Sequence, residues 1–508
     1  MQNHYDIIVI GTGAGGGTLL TRLAPTGKRI LVLEGGDFMP RERENWDPRA
    51  IAAGRYRADV TYRDADDKPF RPFTHHFVGG NTKLYGAALL RLREHDFGEI
   101  RHHGGVSPAW PLGYDVFEPY YSEAEWLYHV RGERGTDPHD PRASRAYRHA
   151  AVPHEPRIAA LAGALRTQRL RPFPLPLGIR PPAAQQTAVT LSLFDGYPDP
   201  TETKADAHVI GVAPALAHPN VELRTGRWVE RLTTNASGTA IDGVIARHAS
   251  EVETYRADLV IVSCGAIESA ALFLRSSNAA HPHGLANGHD QVGRHYMTHH
   301  NGALLAIADQ PNDSAFQKTL ALTDFYRQAP DSERPLGAVQ MMGRTDADDL
   351  APLIRDLLPN LKPGDAAARC IDFWLTAEDL PVPSNRITLT RERAIQVHYT
   401  PNNLVAFDGL KATLTRVLQK ALGADTTFTG YRLDISGVSH QCGTLRFGVD
   451  PESSVLDLDC RAHGIDNLYA VDGSFMPASG AVNPSLTIMA NALRVGDQLL
   501  ARMSKRTG

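Results

Sequence analysis

The sequence predicts an α/β protein: a Rossmann-like dinucleotide-binding domain interrupted by an inserted antiparallel-sheet domain. Three observations carry this. A strand, glycine-rich turn, helix, strand unit occupies the first forty residues. Buried-strand and helix patterns return at about 209–275 and again over the last seventy residues, while the stretch 302–400 alternates apolar and polar side chains as antiparallel strands do. Ends that share one texture bracket a middle that does not, so a discontinuous domain with an insertion fits better than two consecutive domains. The expected division is 1–100, 205–300 and 435–508 for the dinucleotide domain. The segment 101–204 should form covering loops and short helices, and 301–434 the sheet domain.

Bulk properties limit the partners. At 508 residues the chain exceeds what one hydrophobic core usually serves. A net charge of −4 calls for neither nucleic acid nor an anionic membrane. Cys264, Cys370, Cys442 and Cys460 are scattered without a CxxC pair, a poor basis for a disulfide framework or a zinc site. No secretory leader and no bilayer-length apolar run are read, so the expected setting is the reducing cytoplasm.

Element by element, Tyr5–Ile10 reads as a buried parallel strand, a small-residue helix lies near Thr18–Leu23, and Arg29–Leu33 is the second strand, closed by Glu34. From 100 to 205 proline, arginine and histidine are dense; one helix is expected at 156–168. Trp110, Tyr120, Tyr121, Trp126 and Phe194 there look like packing residues. Val221–Leu223, Trp228–Leu232 and Leu259–Val262 are strand-like, with a helix over Ala266–Leu274. Longer strands are expected at 336–344, 369–377 and 386–398, then helices over 405–422 and Pro484–Arg502. In the strand 369–377, Ile371, Phe373 and Leu375 alternate with Asp372, Trp374 and Thr376, so one face should be packed and the other polar.

The first turn, Gly11-Thr12-Gly13-Ala14-Gly15-Gly16, satisfies GxGxxG. The first glycine permits the tight turn, the second lets the backbone approach a pyrophosphate, and the third lets the helix pack on the strand. The free N–H groups of that helix face the anion. Glu34, at the tip of the second strand, is suited to accept hydrogen bonds from the adenosine ribose and disfavours a 2′-phosphate. FAD and NAD both satisfy this motif.

Several further segments share one order: Phe77-Val78-Gly79-Gly80-Asn81, Ser263-Cys264-Gly265-Ala266-Ile267, Val292-Gly293-Arg294, His440-Gln441-Cys442-Gly443-Thr444, Val471-Asp472-Gly473 and Asn483-Pro484-Ser485. This order resembles the glucose–methanol–choline (GMC) oxidoreductase superfamily, FAD enzymes that oxidise alcohols. Within it the chain looks most like pyranose oxidases and bacterial glycoside 3-oxidases. The resemblance implies a secondary alcohol of a pyranose or glycoside (O- or C-linked) as substrate, oxidised at C2 or C3 by hydride transfer to flavin N5. Oxygen or a quinone would be the electron acceptor. Pyranose 2-oxidases attach FAD through a histidine four places after the loop's second glycine. Here that place is Leu84, which has no nucleophilic atom, so non-covalent FAD is expected, with His75 and His76 as the nearby substitutes.

The resemblance also assigns roles. His440 is the base that removes the hydroxyl proton, a task suited to an imidazole of pKa about 6.5. Asn483 stands where the family has His or Asn; its amide orients the oxygen and accepts no proton. Gly79, Gly80 and Asn81 belong to the early flavin loop, and Ser263, Cys264 and Gly265 to the second flavin-contacting turn. Asp472 and Gly473 would bring a backbone N–H to the ribityl chain or pyrophosphate. Pro484 and Ser485 open the last helix towards the flavin ring, and Val229 matches a backbone contact to adenine. Apart from the resemblance, the polar face of the strand 369–377 (Asp372, Trp374, Thr376), with Gln340 and His398 on neighbouring strands, supplies the expected sugar contacts. His295, His299 and His300 have no carboxylate within the next four residues, and no metal is expected. His75-His76 and His102-His103 read as surface or lid residues. Competing readings are a non-sugar alcohol oxidase, a hydroxynitrile-lyase-like enzyme with structural FAD, a non-catalytic flavoprotein and a nicotinamide dehydrogenase. Regiochemistry, oligomeric state and the role of 100–205 stay open.

Overall fold

The computed structural model describes residues 4–180, 194–329 and 332–506. His4–Ile10 form β1, Ala14–Leu23 α1 and Ile30–Leu33 β2. Ile7–Ile10 and all of β2 are buried, as strands covered on both faces must be. Val221–Arg224 (β3), Trp228–Thr234 (β4), Ile241–His248 (β5) and Glu251–Val262 (β6) join them in the spatial order β3-β2-β1-β6-β5-β4. Strand β6 has two sets of neighbours. Residues 251–255 run antiparallel to β5, whereas 256–262 run parallel to β1. Val260–Val262 also pair in parallel with Leu468–Ala470, which sews the C-terminal segment into the N-terminal sheet.

The carboxyl ends of β1, β2, β6 and Leu468–Ala470 therefore meet at one edge of the sheet. The turns leaving that edge are Gly11–Gly13, Glu34–Gly36, Ser263–Gly265 and Val471–Gly473. In open parallel sheets ligands bind outside this edge. Helix α2 (Ala266–Arg275) leaves the third of these turns.

A second sheet holds His300–Ile307 (β7), Leu320–Leu322 (β8), Ala338–Met341 (β9), Cys370–Ala377 (β10) and Thr427–Arg432 (β11). With Phe173–Pro174 these run antiparallel in the order β11-β7-β10-β9-β8-Phe173–Pro174. Ile371, Phe373 and Leu375 of β10 join Phe407, Leu410 and Leu414 of the helix Leu404–Leu422 in one apolar cluster, the packed face that alternation predicts. The opposite face is not the open polar wall expected. The short helices Ala347–Ile354 and Pro363–Ala367 supply Leu350, Ile354 and Ala366 against Ala303, Leu305 and Ile307 of β7, so that side has its own core. Asp372 and Thr376 are buried, and only Trp374 is half-buried at a cavity.

Two other expectations are corrected. The segment 386–398 is a hairpin, Arg386–Leu389 with Ile395–His398, because Arg391-Glu392-Arg393 offers no buried face and Arg393 adopts a left-handed φ of 65°. That hairpin pairs with Tyr62–Arg63 in a separate four-stranded sheet. The covering segment contains a helix of 14 residues, Tyr114–Leu127, which the aromatic and proline content concealed. Its Tyr121 hydroxyl lies 2.8 Å from Thr487 Oγ1 on the C-terminal helix Ser485–Arg506, and Trp110 packs among Phe97, Phe117, Phe447 and Phe475. Trp126, expected to pack, is 45% exposed, with Arg145 and Arg148 over its ring. Residues 181–193 of the covering segment lie outside the described residues. Among the described residues no helix is long and apolar enough to cross a membrane.

Candidate active site

The turns at the sheet edge open into a cavity of about 690 Å³ that extends to the second sheet, a size typical of sites for small organic ligands. Its first end is the glycine turn. A Cβ on Gly11, whose φ is +92°, would lie 2.3 Å from the Ser263 carbonyl oxygen, and one on Gly16 would lie 2.1 Å from the Gly11 carbonyl oxygen. These two glycines are fixed by packing. Gly13 is different: a Cβ there would meet nothing within 4 Å, and the residue faces the cavity.

Helix α1 begins at Ala14, so the N–H groups from Gly13 to Gly16 have no partner within it. Ser263 Oγ takes the Gly16 N–H at 2.7 Å, which corrects the expectation that all of them face an anion. Those of Gly13, Ala14 and Gly15 have no acceptor among the described residues. Three free donors beside a glycine without Cβ fit a pyrophosphate. Glu34 accepts from Thr12 N–H at 3.0 Å, Thr12 Oγ1 at 2.5 Å and Gly36 N–H at 3.0 Å, which leaves carboxylate lone pairs for ribose hydroxyls. Thr12 Oγ1 in turn accepts the Gly79 N–H at 3.0 Å, so Gly79 stands behind the wall while Gly80 and Asn81 line it. Val229, Arg227 and Trp228 close this end.

The middle of the cavity is formed by Ser263, Cys264, Gly265, Asp472, Gly473, Pro484 and Ser485. The Asp472 carboxylate accepts from Ser269 Oγ, from Gly265 N–H at 3.1 Å and from Ser474 N–H at 2.9 Å, so it ties two turns together and leaves the backbone facing inward. Burial holds the Cys264 thiol well above its ordinary range, so it is no thiolate. Leu84 lines the wall, and Lys83 turns inward to a buried ion pair with Asp206 at 2.7 Å. His75, expected on the surface, is buried beside the same wall. Its Nδ1 lies 2.8 Å from the Tyr56 carbonyl, and burial lowers its pKa to about 4. His102 is also buried, with Nε2 3.1 Å from Glu378; His103 is exposed.

His440 and Asn483 line the same cavity, as do Gln340, Trp374, Asn301 and Lys318. Neither the Asn483 amide nor the Gln340 amide has a hydrogen-bond partner among the described residues, and Gln340 Oε1 is buried. His440 Nδ1 lies 2.9 Å from His299 Nδ1 and 3.1 Å from Asn301 Nδ2. Burial holds the His440 pKa well below 6.5, and the neighbouring His299 and Lys318 push the same way, so the ring is a neutral imidazole. Lys318 is held by Asp195 at 2.5 Å.

Three expected substrate contacts lie elsewhere. Asp372 accepts from Gln317 Nε2 at 2.6 Å, away from the cavity. Thr376 donates to Asn301 Oδ1 at 3.0 Å and acts only through that residue. His398 belongs to the hairpin sheet and lies 2.9 Å from Thr388 Oγ1. His299, Asn301, Lys318 and Asp195 were not expected at the site. One signal was available: the polar run His299-His300-Asn301 leads into the strand His300–Ile307, whose every residue is buried, and buried polar groups need specific partners. His295 and His300 stand apart: His295 Nδ1 lies 3.2 Å from the Pro381 carbonyl oxygen, and His300 Nε2 lies 3.5 Å from Asp379 and has no hydrogen-bond partner among the described residues.

Family models described as GMC oxidoreductase match residues 177–301 and 385–492. The chain is 32% identical to 6'''-hydroxyparomomycin C oxidase of Streptomyces lividus, over 98% of this chain and 92% of that protein. It is 31% identical to paromamine 6'-oxidase of Streptomyces fradiae, over 96% of this chain and 90% of that one. Pyridoxine 4-oxidase from Mesorbium loti shares the fold, with a TM-score of 0.67, 18% identity and coverage of 97% of this chain and 99% of that one.

Proposed function

The chain belongs to the GMC oxidoreductase family, as an oxidoreductase of CH–OH groups whose family cofactor is FAD; from that premise we propose that it oxidises a secondary alcohol of a pyranose or glycoside to the keto sugar. The hydroxyl proton passes to a bare ring nitrogen of His440. The Asn483 amide donates to the same oxygen and orients it, while Gln340 and Trp374 hold the sugar. Bound FAD would supply the hydride acceptor, with oxygen or a quinone taking the electrons onward. Gly13, Ala14, Gly15 and Glu34 would hold it by hydrogen bonds, without a covalent link at Leu84.

One observation carries the reading. The glycine turn, His440 and Asn483 line one continuous cavity, and among the described residues the Asn483 amide has no other partner. The two Streptomyces relatives act, by name, on aminoglycosides, which supports a sugar-like substrate and adds amino sugars to the range. Anaerobic titration of the purified protein with glucose, a flavonoid O-glycoside, a C-glycoside and paromamine tests it. The flavin absorbance should bleach with at least one of them. An unchanged oxidised spectrum across the panel removes the sugar assignment, and turnover of a cyanohydrin without bleaching would favour lyase chemistry.

The pH dependence follows from His440. A histidine whose pKa is lowered stays neutral until the pH falls below its ordinary value of about 6.5. Stopped-flow flavin reduction should therefore be flat from about pH 8 to about 6.5 and decline only on further acidification. An acidic limb centred above 7 would exclude a neutral His440 as the base.

A further inference from the structure

We propose that His299 is a positioning residue that fixes the tautomer of His440, leaving its Nε2 bare towards the cavity. The inference rests on the reading of His440 as the base, because a neutral imidazole has one basic nitrogen and the wrong tautomer presents an N–H instead.

The chain of hydrogen bonds starts at a backbone group. His299 Nε2 lies 3.1 Å from the Ser479 carbonyl oxygen. A carbonyl only accepts, so Nε2 carries the hydrogen. His299 is 2% exposed, and burial lowers its pKa, so it is neutral and its Nδ1 is bare. That bare nitrogen lies 2.9 Å from His440 Nδ1, which must then donate. A neutral His440 with Nδ1–H has a bare Nε2, and among the described residues nothing else bonds to that ring edge. The two ring planes cross at 89° with centroids 5.0 Å apart, and the Nδ1–Nδ1 distance of 2.9 Å is that of a hydrogen bond.

Asn301 sharpens the point. Its Nδ2 stands 3.1 Å from the same His440 Nδ1, and as a donor it would favour the opposite tautomer. Turned end for end, the amide presents Oδ1 to the His440 N–H. The Thr376 hydroxyl, 3.0 Å from the far end, serves either orientation because it both donates and accepts. Asn301 is therefore neutral in the choice, and the asymmetric anchor is Ser479 acting through His299. Ser479 is itself held, its hydroxyl donating to the Asp379 carbonyl at 3.0 Å.

The test is ¹H–¹⁵N correlation of ring nitrogens in the histidine-labelled holoprotein, with His440 assigned by loss of its signals in His440→Asn. The parent should show His440 Nδ1 protonated and Nε2 bare. His299→Phe, which fills the space without an acceptor, should release the preference for Nδ1, so that a protonated Nε2 signal appears, and slow flavin reduction by about threefold or more at unchanged flavin content. Parent-like nitrogen signals and parent-like reduction in His299→Phe overturn the inference while leaving His440 as the base. If His440→Asn itself reduces flavin at the parent rate, the base assignment fails instead. Should His299→Phe not fold, the parent spectrum alone decides: a protonated His440 Nε2 overturns the inference.

Discussion

His440→Ala should slow substrate-driven flavin reduction by about 10²- to 10⁴-fold, while the protein keeps its flavin and its fold. At 1.36 kcal/mol per tenfold, that is roughly 3 to 5 kcal/mol of transition-state stabilisation. The ring is half-buried in the cavity wall, and among the described residues its hydrogen bonds go only to His299 and Asn301. Its removal therefore opens space continuous with the cavity and leaves no buried backbone group unpaired. The Asn483 amide remains, so oxygen orientation survives and the loss should appear in the reduction rate more than in substrate affinity. Asn483→Ala should cost less, because one hydrogen-bond donor to a developing oxyanion is worth about 10²- to 10³-fold. An alanine variant of His440 that reduces its flavin within threefold of the parent would end the base assignment.

The sequence was most informative where chemistry and packing coincide. Gly11 and Gly16 are required by contacts of 2.3 and 2.1 Å to backbone oxygens, and Gly13 faces the cavity, so the motif states its own geometry. His440 and Asn483 were singled out because they sit in recognisable turns, and both line the cavity. The substrate wall was less legible. Alternation in β10 told which residues share a face, but not what covers that face. The helices Ala347–Ile354 and Pro363–Ala367, far along the chain from β7, bury that side of the second sheet. Asp372, buried beside Cys370 and Gln317, therefore lies away from the cavity. His398 was assigned to the wrong sheet because a charged turn at Arg391–Arg393 reads much like an exposed strand edge. His299 and Asn301 were missed for a related reason: their meaning lies in partners about 140 residues away, and periodicity carries no information on such pairings.

The glycine turn yields a pair of substitutions with opposite signatures. Gly13→Ala adds a methyl group that meets no protein atom within 4 Å, at a residue whose φ of −67° any side chain tolerates. The apoprotein should be unchanged or stabilised by a few tenths of a kcal/mol, through the stiffer unfolded chain. The methyl would, however, occupy the space beside the free N–H groups of Ala14 and Gly15, so FAD affinity should fall by about tenfold or more, or about 1.4 kcal/mol. Gly15→Ala is the reverse case. Its Cβ would lie 2.1 Å from the Val471 carbonyl oxygen and 2.8 Å from its carbon, both backbone atoms of the turn that follows Leu468–Ala470. Neither can rotate away, so α1 and the C-terminal segment must separate, at a cost of about 3 kcal/mol. Urea denaturation of the apoproteins, with FAD titration followed by flavin fluorescence, separates the two effects. Gly15→Ala should lose stability before cofactor is added, whereas Gly13→Ala should lose cofactor alone. Parent-like FAD affinity in Gly13→Ala would mean that the pyrophosphate does not lie against this turn, and the orientation of the whole cofactor along the cavity would have to be reversed.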